Sequence, residues 1–360
     1  MSRTALATIH LGALRRNLAR VRERAGTANV MAVVKADGYG HGLERVARAL
    51  ADADAFGVAA LGDGLRLRAA GIGKRIVVLS GPDEAADLAE FRRLNLGAVI
   101  HHEAQLAWLE ADRDPRCLRA WLKIDTGMHR LGFAPAQAHA AHARLRALPN
   151  VDSDIALMTH FAASDEFGNA LTARQIEAFD AVTQGLDGPR SLANSAGLLG
   201  WPQARNDWVR VGGLLYGLSV VEGKTGADLG FEPVMTLSTK LIAVNRVRKG
   251  ECIGYAATFE CPQDMDVGVA AIGYGDGYPR SAPSGTPVLV NGTRAALAGR
   301  VSMDLIAIDL RNVADAQVGD RVTLWGPQLP IEEIAARAGT ISYDLACGMT
   351  KRVLFVEDAA

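Results

Sequence analysis

A lysine that follows an apolar run and enters a glycine-rich turn is the first residue in this sequence with obvious chemical potential. Lys35 follows the apolar residues 29–34, and three glycines alternate after it: Gly38, Gly40 and Gly42. A lysine at the end of a buried strand is partly desolvated, which lowers the pKa of its amine and suits it to covalent reaction with an aldehyde. The glycines allow the backbone to bend closely, and the Tyr39 hydroxyl between them suits a phosphate. By spacing alone, a surface lysine is the more frequent case.

Other polar side chains also follow apolar runs or lie beside glycines. They lie in four segments, which contain Lys123 and Arg130, His160, Asn194 and Ser195, and Arg210, Gly212 and Gly213. A guanidinium is the planar partner of a carboxylate, and glycine-flanked backbone amides readily bind anions. Taken singly, Arg130 would more often form a surface ion pair and His160 would more often be structural.

Taken together, these segments resemble the alanine racemase family. The run VVKADGYGHG at residues 33–42 is similar to the lysine motif of that family, and the other matches follow in the family's order across nearly the whole chain. Later matches contain Tyr255 in IGYAATF, Tyr274 in IGYGDGYPR, Met303 in GRVSMD and Tyr343 in TISYD. Position 129 is His where many relatives have Gly, and position 302 is Ser where some have Cys. We expect neither difference to remove a functional group.

The resemblance implies that the cofactor is pyridoxal 5'-phosphate (PLP), that the substrate is alanine and that no metal is needed. It implies that the cofactor-binding residues are Lys35, Tyr39, His160, Ser195, Arg210, Gly212, Gly213 and Tyr343. Arg130 and the backbone amide of Met303 would bind the substrate carboxylate, and Tyr274 would narrow the entrance. In many relatives the lysine equivalent to Lys123 is carbamylated, and its added negative charge orients the arginine.

Racemisation requires a proton to leave one face of Cα and return on the other, which two opposed bases can do. By resemblance, Lys35 handles the proton of D-alanine and Tyr255 that of L-alanine. A tyrosine must be tuned by neighbours to act as a base near neutrality, and His160 and Arg210 are candidates. Arg210 would face the pyridine nitrogen and leave it unprotonated, which favours return of the proton to Cα over side reactions. The family is a homodimer, which implies that Tyr255 and Met303 of one subunit complete the barrel site of the other.

The elements that must position these residues fall into two patterns. Up to about residue 228, short apolar runs alternate with amphipathic ones, giving seven or eight strand–helix units. The strand candidates are residues 29–34, 55–59, 75–80, 97–100, 118–124, 155–160, 191–194 and 208–211. This repetition predicts a (β/α)₈ TIM-type barrel, whose active sites lie at the carboxyl ends of the strands. Periodicity alone leaves a doubly wound open sheet as the alternative.

After about residue 229 the pattern becomes β-rich and is punctuated by turn residues. The strand candidates are residues 235–247, 266–272, 287–290, 295–297, 305–310 and 321–325, and only residues 331–338 indicate a helix. We therefore predict two domains, a PLP-binding barrel over residues 1–228 and a mostly β C-terminal domain over residues 229–360, with the junction at residues 222–230.

Composition narrows the class of protein further. The chain has 360 residues, 49% of them hydrophobic, and 39 basic residues nearly balance 40 acidic ones. This balance indicates no nucleic-acid or anionic-membrane partner. Four cysteines without a CxxC pair predict neither a zinc site nor a disulfide framework. Arg15 and Arg16 interrupt any apolar region near the start, and no run of about 18 apolar residues occurs, so we expect a cytoplasmic protein.

Other functions on the same scaffold stay open at this point. A PLP-dependent decarboxylase or lyase would also use a strand-end lysine, but it would lack the combined Tyr255 and Met303 segments. A broader-specificity racemase would also act on serine, since a pocket for a methyl group discriminates poorly against one small added group. A non-catalytic PLP carrier would resemble only the barrel half. The sequence does not separate supply of D-alanine for peptidoglycan from alanine catabolism.

Overall fold

The structure, a computed structural model, describes residues 5–358. Residues 1–4 of the predicted barrel domain and residues 359–360 of the predicted β domain lie outside the described residues. The described chain divides into two compact units. One consists of residues 17–215 and 220–223, and the other contains residues 5–16, 216–219 and 224–358. No helix within residues 5–358 is long and apolar enough to cross a bilayer.

The unit of residues 17–215 contains eight parallel strands in a nearly closed barrel, which confirms the predicted fold class. The first strand of the chain, β1 (Leu6–His10), belongs to the other unit. The barrel strands are β2 (Asn29–Val33), β3 (Ala55–Val58), β4 (Arg75–Val78), β5 (Leu96–Ile100), β6 (Ala120–Lys123), β7 (Ala156–Met158), β8 (Arg190–Ser191) and β9 (Trp208–Val211). Strands β2 to β8 are neighbours in chain order, and β9 pairs with β2. Apolar runs without alternation form these strands because both of their faces are covered.

Helices follow most of the barrel strands. They are α1 (Leu11–Ala25), α2 (Leu43–Ala49), α3 (Leu61–Ala69), α4 (Asp87–Arg93), α5 (Glu103–Ala111), α6 (Pro135–Ala147), α7 (Ala170–Thr183) and α8 (Ser195–Gly200), with 3₁₀ turns at Pro202–Ala204 and Gly213–Tyr216. Helix α1 is amphipathic: Leu14, Leu18 and Val21 are buried, whereas Arg15 and Arg16 are exposed. The units divide within this helix, after residue 16.

Packed side chains fill the barrel interior. One buried cluster contains Met31, Ala55, Val77, Val99, Trp121, Ala156, Met158 and Trp208. Because these residues come from seven strands, only the interior can bring them together. The rings of Trp121 and Trp208 meet edge to face at 5.6 Å between centroids. The barrel is therefore a solid scaffold, and any site must lie at an end of it.

The second unit is mostly antiparallel β-structure. Its further elements are β10 (Met235–Val247), β11 (Cys252–Ile253), β12 (Phe259–Glu260), β13 (Met265–Ala270), β14 (Pro287–Val290), β15 (Thr293–Leu297), β16 (Ile306–Asp309), β17 (Arg321–Trp325), α9 (Ile331–Ala338), α10 (Ser342–Cys347) and β18 (Leu354–Asp358), with 3₁₀ turns at Ala227–Leu229, Tyr255–Ala257 and Tyr274–Asp276. Pairings run from β10 through β13, β16, β15, β14 and β17 back to β10, so six strands form a closed ring.

The first strand differs from the predicted domain division. β1 pairs antiparallel with β10 and parallel with β18, so the described residues before 17 belong to the β unit rather than to the barrel. Ala7 and Ile9 on β1 are fully buried. The partners of β1 lie more than 220 residues further along the chain, which local periodicity cannot reveal. Helix α10 was also not predicted, because six residues are too few to show a helical repeat.

Candidate active site

The segment after Lys35 is a left-handed turn at the carboxyl end of β2. Ala36, Asp37, Gly38 and Tyr39 have φ angles of 53°, 53°, 63° and 52°. Three of them are not glycine, and each such residue is strained by about 1–2 kcal/mol in this region. Backbone bonds close the turn, including one of 2.9 Å from Gly40 N to Ala36 O. Non-glycine strain of this kind is concentrated at functional sites.

The turn directs Tyr39 towards the end of β9. The Ser195 hydroxyl accepts a 2.9 Å bond from the backbone N–H of Gly212, and a Cβ on Gly212 would lie only 2.3 Å from the Tyr39 hydroxyl oxygen. A side chain at position 212 would therefore displace the Tyr39 ring from its place beside Ser195. Gly213 follows it, also buried. The structure thus brings together the two hydroxyls and the glycine amide that we expected to bind a phosphate, and such a cradle suits an anion.

Arg210 lies buried beneath this cradle, with its guanidinium directed at backbone oxygens. Its Nη1 donates to Ser191 O at 2.8 Å, and its Nη2 donates to Thr159 O at 2.5 Å. Burial lowers the pKa of Arg210 to about 10, so the group stays charged at neutral pH. Nη2 also lies 3.4 Å from His160 Nδ1. Burial, with the positive charges of Arg210 and Lys123, holds the pKa of His160 well below its usual value, so that ring is neutral.

Lys123 lies at the end of β6 with only 7% of its surface exposed. Its pKa is lowered to about 8, first by burial and then by the positive charges of Arg210, Arg130 and Lys35, and Asp125 opposes this shift. Four cationic side chains therefore gather at the carboxyl end of the barrel. Such a cluster destabilises the protein by itself and favours binding of anions.

The loop between Lys123 and Arg130 folds around one carboxylate. Asp125 Oδ1 accepts bonds of 3.0 Å from the backbone N–H groups of Gly127, Met128 and His129. His129 has a φ of 55°, a conformation that glycine adopts without strain, which explains the preference for glycine expected at this position. The loop keeps this conformation with His129 present, and Arg130 at its end is exposed.

Lys35 differs from one expectation. The residue is exposed in the described chain, whereas we expected partial desolvation. It follows the last paired residue of β2, and the left-handed turn that begins after it leaves it at the mouth of the barrel. The described chain thus places the amine at the end of β2 but does not bury it.

The remaining site residues lie on the β unit. Tyr255, Tyr274 and Met303 are 70%, 40% and 52% exposed, and Tyr343 on α10 is half-buried. Backbone bonds join the segments of Tyr274 and Met303: Tyr274 N donates to Ser302 O at 3.0 Å, and Gly275 N donates to Met303 O at 2.9 Å.

The segment before Tyr255 lies beside the same region, because a Cβ on Gly299 would meet Ile253 O at 2.9 Å. Three segments that are far apart in the sequence thus form one continuous surface.

One ion-pair cluster at this surface was missed from the sequence. Arg352 Nε lies 3.0 Å from the carboxylate of buried Asp276, which also accepts a 3.0 Å bond from Gly273 N. Arg352 also pairs with Asp304 beside Met303. A lone arginine near the end of a chain predicts a surface cation, so no sequence signal could have identified this role.

The fold and the barrel end define a class of protein: a (β/α)₈-barrel enzyme with a strand-end lysine, an anion cradle and a cluster of cations, joined in one chain to an antiparallel β unit. Two family sequence models match the chain, "Alanine racemase, N-terminal domain" over residues 9–220 and "Alanine racemase, C-terminal domain" over residues 234–356.

Known proteins agree with this class. The alanine racemase of Coxiella burnetii is 48% identical over 358 residues, which is 98% of each chain. The crystal structure of the biosynthetic alanine racemase from Pseudomonas aeruginosa is 44% identical, covers 99% of each chain and superposes with a TM-score of 0.96. The alanine racemase from Bartonella henselae with covalently bound pyridoxal phosphate is 25% identical, covers 99% of each chain and has a TM-score of 0.89. The chain belongs to the alanine racemase family and is an amino-acid racemase.

Proposed function

We propose that this protein interconverts L-alanine and D-alanine with PLP bound at the carboxyl end of the barrel. The observation that supports the proposal most is the pairing of the Tyr39–Ser195–Gly212 cradle with the cationic cluster around Lys123. A phosphate suits the cradle, and the substrate carboxylate suits the cations. Bartonella henselae alanine racemase, with its covalently bound pyridoxal phosphate, supports the choice of cofactor.

The residues at this end have the chemistry that the cofactor requires. The amine of Lys35 would hold it covalently, the cradle with Gly213 would bind its phosphate, and His160 would lie beside its ring. By the family resemblance, Tyr343 of the β unit would add a further contact to the phosphate. Bound PLP supplies an electron-withdrawing ring that makes the Cα–H bond of an amino acid acidic. Arg210, already committed to backbone oxygens, would face the ring nitrogen and keep it unprotonated.

The substrate carboxylate would be bound by Arg130 and the backbone amide of Met303, with Tyr274 narrowing the entrance. We propose that Lys123 is carbamylated. A pKa near 8 leaves about a tenth of this amine neutral at pH 7, and the neutral amine is the form that attacks CO₂. The carbamate would replace a positive charge by a negative one beside Arg130 and Arg210.

Two opposed bases would move the proton. The Lys35 amine would remove or return the proton on the face from which D-alanine reacts, and the Tyr255 hydroxyl would do so on the L face. The exposure of Tyr255 and Met303 fits their contribution to the site of a second copy in a homodimer. That copy would also supply the desolvation that a single chain does not give Lys35.

Borohydride labelling with an enantiomer assay tests the proposal. Purified protein with PLP should absorb near ~420 nm, lose this band on reduction and yield a pyridoxyl label on Lys35. L-alanine should then give D-alanine without CO₂ release, and serine should react more slowly. Release of CO₂ would point to a decarboxylase, and absence of both band and label would refute the cofactor assignment.

The modification of Lys123 has its own test. Protein equilibrated with ¹³C-bicarbonate should show a carbamate carbonyl resonance by NMR, and Lys123→Met should lack it. An unchanged spectrum in Lys123→Met would assign the resonance to another group and contradict the proposal.

We further propose that the reaction either supplies D-alanine for peptidoglycan synthesis or serves alanine catabolism. Growth of the gene-deleted organism only with added D-alanine would support the supply of D-alanine. Loss of growth on alanine as nutrient, without a D-alanine requirement, would indicate catabolism instead.

A further inference from the structure

A buried glutamine links two loops that contain predicted site residues. Gln175 lies on α7 and is fully buried. Its Oε1 accepts a 2.9 Å bond from Ala162 N, and its Nε2 donates to His160 O at 3.1 Å and to Thr126 Oγ1 at 3.3 Å. A buried amide that makes three hydrogen bonds is fixed in orientation and costly to disrupt.

The link continues through a second hydroxyl. Thr126 Oγ1 lies 2.8 Å from Thr159 Oγ1, next to His160 on the segment after β7. Thr126 itself lies on the loop between Lys123 and Arg130. The Gln175 amide therefore joins the loop that ends in the proposed carboxylate-binding arginine to the segment of the proposed ring-contacting histidine.

A second glutamine makes a matching set of bonds, and none of its bonded partners is a predicted site residue. Gln105 on α5 is also buried; its Oε1 accepts a 2.9 Å bond from His101 N, and its Nε2 donates to Pro82 O at 2.9 Å. The two side chains thus do the same structural task after β5 and after β7. Comparing them separates the effect of such a bridge on the fold from its effect on the site.

We propose that Gln175 is a positioning residue for substrate binding. By holding Thr126 and His160 at a fixed spacing, it sets where the Arg130 loop lies and therefore how well the substrate carboxylate is bound. The inference rests on the proposed function and adds a residue that acts through others rather than touching substrate.

Gln175→Met removes the amide while keeping the length of the side chain, and Gln105→Met is the matched control. With PLP saturating, we expect Gln175→Met to raise the KM for alanine about tenfold while kcat falls less than threefold, because a displaced binding loop weakens substrate binding before chemistry. Hydrogen exchange should accelerate at residues 125–130 and 160–163. Gln105→Met should accelerate exchange at residue 101 and leave KM within twofold.

Thr126→Val tests the same link with a milder change and serves if Gln175→Met does not fold. We expect its KM to rise about threefold, and the double variant to show a KM no higher than that of Gln175→Met, because both changes break one link. Multiplied effects in the double variant, equal KM changes in Gln175→Met and Gln105→Met, or an unchanged KM in Thr126→Val would each overturn the proposal.

A binding measurement separates this inference from the proposed function. Calorimetry with propionate, a carboxylate that lacks the amine, should give about tenfold weaker binding to the PLP-loaded Gln175→Met protein than to wild type. If wild type fails to racemise alanine, the proposed function fails, yet this difference would still support the role of Gln175. Equal propionate affinities would refute that role whatever the activity.

Discussion

Buried charged side chains have opposite surroundings at the two ends of the barrel: a carboxylate partner at the amino end and mostly like charges at the carboxyl end. At the amino end, the buried guanidinium of Arg92 pairs with Asp112 at 2.5 Å and donates to Asn150 O at 2.9 Å. The Asn150 amide in turn donates to Asp112 O at 3.0 Å. At the carboxyl end, buried Lys123 has three cationic neighbours and one carboxylate near it, and its pKa falls to about 8.

This difference separates what stabilises the fold from what prepares the site. Opposed and hydrogen-bonded charges at the amino end tie the starts of β6 and β7 together. Like charges at the carboxyl end cost stability, and a protein keeps such an arrangement where an anionic ligand or a modification offsets it. Variants at each end should therefore affect different measurements.

The largest effect is expected at Lys35. Lys35→Ala should lower racemisation more than ~10³-fold and remove the borohydride label, because no other amine lies at the start of the left-handed turn. The free energy of unfolding should change by less than about 0.5 kcal/mol, since the residue is exposed. An enantiomer assay and peptide mapping measure the loss of activity and of the label, and urea unfolding measures the change in stability. Retained label on another residue would contradict the anchor.

Tyr255→Phe tests whether the reactive end needs a base from outside the barrel unit. The variant should keep its cofactor and lose racemisation by about 10²–10⁴-fold, the usual contribution of a general base. Solvent deuterium should enter D-alanine more readily than L-alanine, since Lys35 remains. Equal loss of exchange from both enantiomers, or wild-type activity, would refute the two-base assignment.

Arg92→Met removes the buried ion pair with Asp112 at the amino end of the barrel. Removing the guanidinium leaves Asp112 and two backbone oxygens without their donor, so the free energy of unfolding should fall by about 3 kcal/mol while kcat/KM stays within twofold. Arg93→Met, an exposed neighbour on the same helix, is the control and should leave the free energy of unfolding unchanged within the error of the measurement. A tenfold loss of kcat/KM in folded Arg92→Met would show that the two ends are not separable.

Lys123→Met tests whether the buried charge of Lys123 at the carboxyl end destabilises the protein. The folded pKa of Lys123, about 8, lies below the unfolded value of 10.5, so between these pH values the unfolded chain binds more protons and wild-type stability rises with pH. Below pH 8 the charged Lys123 amine destabilises the folded protein to its full extent. In CO₂-free buffer Lys123→Met should therefore be more stable than wild type by about 1–3 kcal/mol at pH 7, and the difference should vanish near pH 10.5. A stability difference between the two proteins that does not change with pH would contradict the lowered pKa of Lys123.

The smallest effect concerns backbone strain. Ala36→Gly should leave stability unchanged or raise it by up to about 1 kcal/mol, because glycine relieves the left-handed conformation at some entropic cost. Ala47→Gly, within the regular helix α2, should lower stability by about 1 kcal/mol. Thermal unfolding of the two variants compares them, and equal losses would mean that the turn after Lys35 is not strained.

Much of the fold could be predicted because its signals are local. The strands β2 and β9 and the helix Ile331–Ala338 lie where apolar patterning placed them. The short strands β1 and β18 and the helix Ser342–Cys347 were missed, since too few residues show a repeat and β1 pairs across the whole length of the chain. The candidate site followed the same rule: motif residues were identified by resemblance, whereas Gln175 and Arg352, which act through distant partners, were not.

The sequence by itself determined the alternation of strands and helices, the β-rich second part, the glycine-rich turn after Lys35 and the resemblance to the family, because apolar periodicity and short motifs are properties of neighbouring residues. The pairing of β9 with β2, which makes the sheet a barrel rather than an open sheet, was seen only in the structure. Only the tertiary structure decided that Lys123, Arg130 and Arg210 share one barrel end, that a side chain at position 212 would displace Tyr39, and that Gln175 joins two loops. Desolvation, Coulomb interactions and steric contact depend on distance through space, and these groups lie up to 173 residues apart in the sequence, from Tyr39 to Gly212.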